Sequence, residues 1–186
     1  MQSELSAWMS WEGGVDLVAC TSPGLAAPNV IIHVARLVHT PRGSAAAGML
    51  LYQPDPAAAP LAVGFVSADA AGNGTYFGPA IFAGTPFEHA PVLAAQIAIE
   101  IGGDDVSARV TAGGHDFRTR LSALAPLSLV NRPPAPMTPF WQQGLERAAA
   151  RAQLWVDGRE VALTLPPAGI TGGPAAVYAP CGLYTR

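Results

Sequence analysis

The sequence predicts a mainly β domain, an antiparallel β-barrel or β-sandwich with one short helix packed on the sheet or capping it. Three observations predict this class. Apolar and polar residues alternate with a period of two in three successive segments within residues 96–122. Asn73-Gly74 and Asp157-Gly158 stand between apolar runs, as in tight hairpins. Residues 29–40 are rich in β-branched side chains and are bounded by prolines.

The first third of the chain contains several predicted strands. A short amphipathic turn over residues 3–11 precedes them and packs over one end of the sheet. The segment Gly72-Asn73-Gly74 predicts a tight hairpin turn, because Asn-Gly readily adopts positive φ angles. This turn joins the third predicted strand to the fourth. The predicted strands are 29–40, 49–53, 61–67 and 75–82.

The middle of the chain predicts an antiparallel meander with one wetted face, because its alternating segments are joined by glycine-rich connections. The apolar face carries Ile97, Ile99, Ile101, Val106, Ala108, Val110, Phe117, Thr119 and Leu121. The polar face carries Glu100, Arg109, Arg118 and Arg120. We expect exposed cross-strand ion pairs on the polar face. An anion site inside a barrel is the alternative.

The last third of the chain contains the predicted helix. Thr138 suits the N-cap and Pro139 the first helical position, which predicts a helix over about 139–151. Asp157-Gly158 then predicts a tight hairpin. An edge strand is expected around 176–178. The apolar stripe of the helix would be Phe140, Trp141, Leu145, Ala148 and Ala152.

Residues 1–186 are expected to form a single domain, since undivided β-domains of this length are common. The proline-rich segment 132–139 is the best candidate boundary within the chain. The part of the chain after this segment is too small to form a hydrophobic core of its own. We therefore interpret residues 132–139 as a loop that crosses within one domain.

The composition excludes several functions. The formal net charge is −3, and all ten basic residues are arginines, scattered along the chain, so a nucleic-acid partner is not expected. Without lysine, neither Schiff-base catalysis nor a P-loop is available. The arginine-, alanine- and proline-rich usage is typical of a coding bias such as that of many bacteria.

The N-terminal residues lack the charged and apolar regions of a signal peptide, and no apolar run is long enough to cross a bilayer. A cytoplasmic location without a membrane partner is therefore expected. In that reducing compartment, Cys20 and Cys181 are expected to be free thiols.

Metal and cofactor sites are not expected. His33 and His39 lie on one face of the same predicted strand, roughly 20 Å apart, too far to share an ion. No other spacing of histidines or cysteines matches a metal motif. The glycines at 72, 74 and 78 have the wrong spacing for a dinucleotide loop, and no helix is predicted after them.

The most unusual segment of the chain is 76–91, which combines four aromatic rings, several glycines and prolines, and an adjacent carboxylate and imidazole. Aromatic walls with a few polar groups are typical of small-molecule pockets. A rigid loop that plugs the end of the sheet is the alternative. The candidate ligand-binding residues are Tyr76, Phe87, Glu88, His89 and Trp141.

These features support three hypotheses of function. The leading hypothesis is a domain that binds a small apolar or aromatic ligand without catalysis. A homo-oligomeric interaction module, such as a homodimer, is one alternative. The other is a cofactor-free isomerase, cyclase or lyase in which His89 or Glu88 transfers a proton.

Overall fold

The computed structural model describes residues 7–67, 71–85, 87–135 and 138–186. Within these residues the chain is mainly β, which confirms the predicted class. One short helix, α1, spans Ala71–Tyr76 and continues into a π-helical segment, Phe77–Ile81. The strands are β1 (Trp8–Ala19), β2 (Val30–Thr40), β3 (Gly43–Tyr52), β4 (Leu61–Ser67), β5 (Val92–Gly102), β6 (Asp105–Ala112), β7 (His115–Leu124), β8 (Ser128–Arg132), β9 (Trp141–Val156), β10 (Arg159–Val161) and β11 (Ala176–Thr185).

The strands form one sheet that closes in a ring. Its order is β10-β9-β11-β1-β2-β3-β4-β5-β6-β7, and β7 also pairs with β9 to close the circuit. The first half of β9 pairs with β11 and β8, and its second half pairs with β7 and β10. The ring is therefore not a simple barrel, because β8 and β10 attach to β9 outside the circuit.

The predicted meander is confirmed as β5, β6 and β7, which pair in sequence and antiparallel. Its polar face points outward, so its arginines lie at the surface rather than in an internal anion site, and two of them form ion pairs. Arg109 contacts Asp116 at 2.7 Å, and Arg120 contacts Asp105 at 2.6 Å. Such exposed pairs contribute at most about 1 kcal/mol each.

Two hydrophobic clusters lie on opposite faces of β1, β2, β3 and β11. Val30, Ile32 and Val34 of β2 belong to the cluster inside the ring. Ile31 and Ala35 belong to the second cluster, because alternate residues of a strand face opposite sides. Residues 71–85, which include α1, and residues 87–90 contribute side chains to this second cluster and cover it. Both faces of β2 are therefore buried, which explains its nearly continuous apolar sequence.

The hairpin at Asp157-Gly158 is confirmed. It joins β9 to β10, and both turn residues have positive φ, 52° at Asp157 and 77° at Gly158. Positive φ at both central positions is the requirement of a type I′ turn.

The helix predicted over 139–151 is wrong, because this segment forms the first two thirds of β9. The surroundings of Gly144 show that this segment packs closely against another strand. A Cβ atom at this position would lie 2.5 Å from the backbone oxygen of Cys181, so β9 and β11 approach too closely here for any side chain. Pairing with β7, β8 and β11 outweighs the helical propensity of the glutamine- and alanine-rich sequence.

The hairpin predicted at Gly72-Asn73-Gly74 is also wrong, because these residues lie in α1. The buried Asn73 side chain bonds to the Thr40 side chain and to the Val38 carbonyl. Gly74 provides space rather than positive φ, since a Cβ there would clash with the Val92 side chain. The segment crosses over so that β4 and β5 pair in parallel, the one parallel pairing among the described strands.

Both termini differ from the prediction. Residues 1–6 of the expected amphipathic turn lie outside the described residues, and β1 begins at Trp8. The edge strand expected around 176–178 is instead β11, which lies between β9 and β1. In the crossing loop, Ala135 and Thr138 form a bridge, and residues 136–137 are not described. None of the described helices has the length and apolar character to span a membrane.

Candidate functional site

A cleft of about 40 Å³ on the outer face of the ring is lined by three of the buried polar side chains, His33, Gln142 and Glu146. Strands β1, β2, β8, β9 and β11 each contribute one or more of its residues. We call it the His33 cleft. Its polar and aromatic lining consists of Asp16, His33, Phe82, Arg132, Phe140, Gln142, Glu146, Thr171 and Tyr184.

His33 and Asp16 form a hydrogen-bonded pair across neighbouring strands. They are directly opposite in the β1–β2 register, and Nδ1 of His33 contacts Oδ1 of Asp16. His33 is only 4% exposed. Burial lowers the pKa of this imidazole, but the charge of Asp16 and its hydrogen bond outweigh burial and raise the pKa above 6.5. The carboxylate therefore fixes the ring through Nδ1 and stabilises its protonated form.

The other ring nitrogen of His33 has no partner within the described part of the chain. Nε2 is buried and makes no hydrogen bond there. An unsatisfied buried polar atom costs about 1–3 kcal/mol, so such atoms usually meet a water molecule or a ligand. Because His33 lines the cleft, a molecule in the cleft is the natural partner for Nε2.

Tyr184 is a further buried residue of the cleft that carries a polar group. Its ring packs 4.0 Å from that of Phe140 and 6.3 Å from that of His33, measured between centroids. Burial, reinforced by the charge of Asp16, raises the pKa of Tyr184 well above 10. Its hydroxyl makes no hydrogen bond to any described residue. Tyr184 therefore stays neutral and keeps an O–H donor available.

Arg132 and Glu146 form the charged wall of the cleft. Two guanidinium nitrogens contact the two carboxylate oxygens at 2.9 and 2.5 Å, and Glu146 is 6% exposed. Such two-point pairs are geometrically specific as well as strong. Gly173 makes room for the guanidinium, since a Cβ there would clash with Nη2. The guanidinium therefore balances the charge of Glu146 and fixes the position of its carboxylate.

A second cavity of about 30 Å³ adjoins the His33 cleft. We call it the apolar cavity. His33, Met49 and Phe82 line both spaces and form the wall between them. Its other lining side chains are mostly aliphatic or aromatic, among them Met9, Val38, Phe87 and Val92.

Two of the five residues predicted from sequence are buried beside these spaces. Phe87 lines the apolar cavity and packs edge-on against Phe82. Tyr76 is buried in the same hydrophobic cluster, but it lines neither space. Its hydroxyl accepts a hydrogen bond from the Trp8 backbone N–H at 3.0 Å, so this oxygen helps to fix the start of β1.

The other three predicted residues lie outside both spaces. Glu88 accepts a hydrogen bond from the Gly84 N–H at 2.6 Å and so closes its own loop. The His89 side chain is 89% exposed and lies 3.5 Å from Glu88. Trp141 is partly exposed and donates to the Asn131 side chain at 2.6 Å. The structure therefore does not bring the five residues together.

No family model matches this sequence, and no curated protein is significantly similar to it. Among solved structures, the chain is similar to the crystal structure of acetoacetate decarboxylase from Legionella pneumophila. The TM-score is 0.40 and the sequence identity 11%, over 97% of this chain and 85% of that chain. A likeness this low assigns neither a fold nor an activity to this chain.

The polar residues of the His33 cleft were not predicted from the sequence. A signal existed at two of them: Asp16 interrupts the apolar run Val15-Asp16-Leu17-Val18, and His33 interrupts Ile31-Ile32-His33-Val34. A single polar residue inside a strand buried on both faces needs a buried partner. These two residues are partners because of the β1–β2 register, and that register cannot be predicted from the sequence alone.

Proposed function

We propose that this chain binds a small organic molecule with one polar group in the His33 cleft. The supporting observation is the unpartnered, buried Nε2 of His33, which Asp16 holds in place from the other side of the ring. The polar group of the ligand would lie between Nε2 and the Tyr184 hydroxyl, and an apolar part would fit against Phe82 and the apolar cavity.

The volume of the two spaces limits the size of the ligand. A cavity needs about 10–15 Å³ to hold one water molecule, so the two spaces together accommodate roughly five water-sized groups. That favours a compound of a few heavy atoms over a large aromatic molecule. Phe82, Phe140 and Tyr184 already fill the aromatic part of the cleft with their own rings.

The test is saturation-transfer NMR with acetone, acetamide, acetate and isopropanol as probes. We expect at least one of them to bind the wild-type chain and to lose binding in His33→Phe, which keeps an aromatic ring but removes the hydrogen bond. The matched control is His39→Phe. His39 lies in the same strand but bonds to the Ser44 hydroxyl at 2.7 Å and is accessible.

Thermal melts establish that both variants are folded before binding is compared. Equal binding of the same probe by the wild-type chain and a folded His33→Phe variant would place the ligand elsewhere. Native mass spectrometry of freshly purified protein provides an independent test, because a retained small molecule adds directly to the measured mass.

A homodimer is the second candidate, and one observation favours it. Two leucines are exposed near one strand: Leu127 directly precedes β8, and Leu129, which is 87% exposed, lies in it. This strand pairs with β9 alone among the described strands. The same native mass spectrum tests this candidate, since a dimer would have twice the mass of the 19.1 kDa chain.

A further inference from the structure

We propose that the His33 cleft is a proton-transfer site for a small carbonyl compound, with His33 as general base and Tyr184 as hydrogen-bond donor to the carbonyl oxygen. This inference rests on the proposed function, since it names the substrate class of the same cleft. It also places the proton-transferring group at His33 rather than at Glu88 or His89.

Asp16 orients His33 for this role. Because Nδ1 is engaged by Asp16, the free electron pair of the neutral ring is on Nε2, the nitrogen that has no described partner. The carboxylate also stabilises the imidazolium that forms when Nε2 accepts a proton. A base held by a carboxylate at its far nitrogen is the arrangement found in many hydrolytic triads.

The proposed step is the removal of a proton from the carbon next to the carbonyl group. The C–H bond breaks, its proton goes to Nε2, and its electron pair moves toward the carbonyl oxygen to form an enolate. Return of a proton from Nε2 to the same carbon regenerates the substrate, and return to the γ carbon of a longer, unsaturated compound, two atoms further along, moves the double bond and gives an isomer. No oxidant or other reactant is consumed.

Tyr184 stabilises the enolate by hydrogen bonding. Its ring is a neighbour of His33, with 6.3 Å between centroids, and its hydroxyl has no described partner. A neutral hydroxyl held in place where negative charge develops lowers the barrier without having to reorganise. Tyr184 remains protonated throughout, so His33 alone takes the substrate proton, and the proton on Nε2 then exchanges with solvent before a proton or deuteron returns to carbon.

The other charged groups of the cleft do not compete with His33. Glu146 is held at both oxygens by Arg132, so it is not available as a base. Glu88 and His89 lie outside the cleft, where Glu88 accepts a hydrogen bond from its own loop and His89 is exposed to solvent. Asp16 and Tyr184 are the titratable neighbours of His33 on β1 and β11. Proton transfer in the cleft is thereby confined to one group.

The experiment follows exchange of the methyl protons of acetone for deuterium in D₂O, by the loss of the ¹H NMR signal with the full chain present. We expect the wild-type chain to accelerate exchange at least tenfold over His33→Gln. His39→Gln, the matched control, should retain the wild-type rate. Tyr184→Phe should slow exchange while retaining acetone binding.

Asp16→Asn is a second variant that keeps His33 and should shift the pH dependence of exchange toward lower pH, which a purely structural role of Asp16 would not do. An exchange rate that is equal in the wild-type chain and folded His33→Gln overturns the inference. Saturation-transfer measurements on the same samples separate the two proposals. If acetone binds and His33→Gln abolishes that binding, but no exchange occurs, the proton-transfer proposal is wrong and the binding proposal stands. If acetone neither binds nor exchanges, both proposals are wrong for this class of compound.

Discussion

His33 differs from the other histidines because it is buried, whereas the side chains of the others are partly or largely exposed. His39 lies six residues further along the same strand, yet it is accessible and bonds to Ser44 and Glu12. A bulge in β2 between Ala35 and Val38 separates the two. Identical side chains in one strand therefore have different chemistry, and the difference originates in which residues face them.

Removing the Asp16 carboxylate should reverse the sign of the His33 pKa shift. In Asp16→Asn the imidazole keeps its burial but loses the negative charge, so its pKa should fall below the ordinary value. The measurement is an NMR titration of the His33 ring protons in both proteins. A titration midpoint that does not change would mean that Asp16 is not the cause of the raised pKa.

The same variant changes how stability depends on pH. The raised pKa of His33 means that the folded wild-type chain binds a proton more tightly than the unfolded chain. This stabilisation is fully present below the unfolded value of 6.5 and is lost as pH rises through the folded pKa. Denaturant melts should show this loss as pH rises above 6.5 in the wild-type chain and not in Asp16→Asn.

At the scale of elements, the alternating meander, the β-branched strand 29–40 and the Asp157-Gly158 turn formed as predicted, whereas the Asn73-Gly74 turn and the helix over 139–151 did not. Asn-Gly and Asp-Gly both permit a tight turn, but only Asp157-Gly158 lies between two strands that pair with each other. By contrast, the sequence of β9 contains good helix formers, and its pairing with β7, β8 and β11 decides its conformation. Local signals therefore permit a conformation, and the pairing of distant segments decides whether it forms.

Gly158→Val should destabilise the fold by more than about 1 kcal/mol. Nothing lies within 4 Å of a Cβ at this position, so the cost comes from the φ of 77° rather than from a clash. The matched control is Gly102→Val, also in open space but without a positive φ, which should change stability by at most about 0.5 kcal/mol. Equal denaturant midpoints for the two variants would contradict this explanation.

At the scale of the whole molecule, the ring depends on the contact between β7 and β9. Leu154 of β9 is fully buried and lies opposite Thr119 of β7 and Val161 of β10. It therefore contributes to the interior cluster at the point where the circuit closes. If residues 1–186 form a single domain, as we propose, the loss of this contact should lower the stability of the whole sheet.

Leu154→Ala should cost about 2–5 kcal/mol, the usual range for a buried leucine. The control is Leu129→Ala, the same substitution at an exposed position, with a change of at most about 0.5 kcal/mol. Unfolding followed by far-UV circular dichroism and by tryptophan fluorescence should give one coincident transition in each variant. Two separate transitions would show that the chain contains more than one cooperative unit.

The sequence by itself determined the β class, the meander from β5 to β7 and the Asp157-Gly158 hairpin. These features depend on neighbours along the chain, through a period of two or through the φ angles that glycine permits. The tertiary structure alone decided that residues 141–156 form a strand, that Asn73 lies in a helix, and that Asp16 meets His33. Each of these depends on contacts between residues distant in sequence, and such contacts leave only a weak local signal, here a single polar residue inside each of two apolar strands.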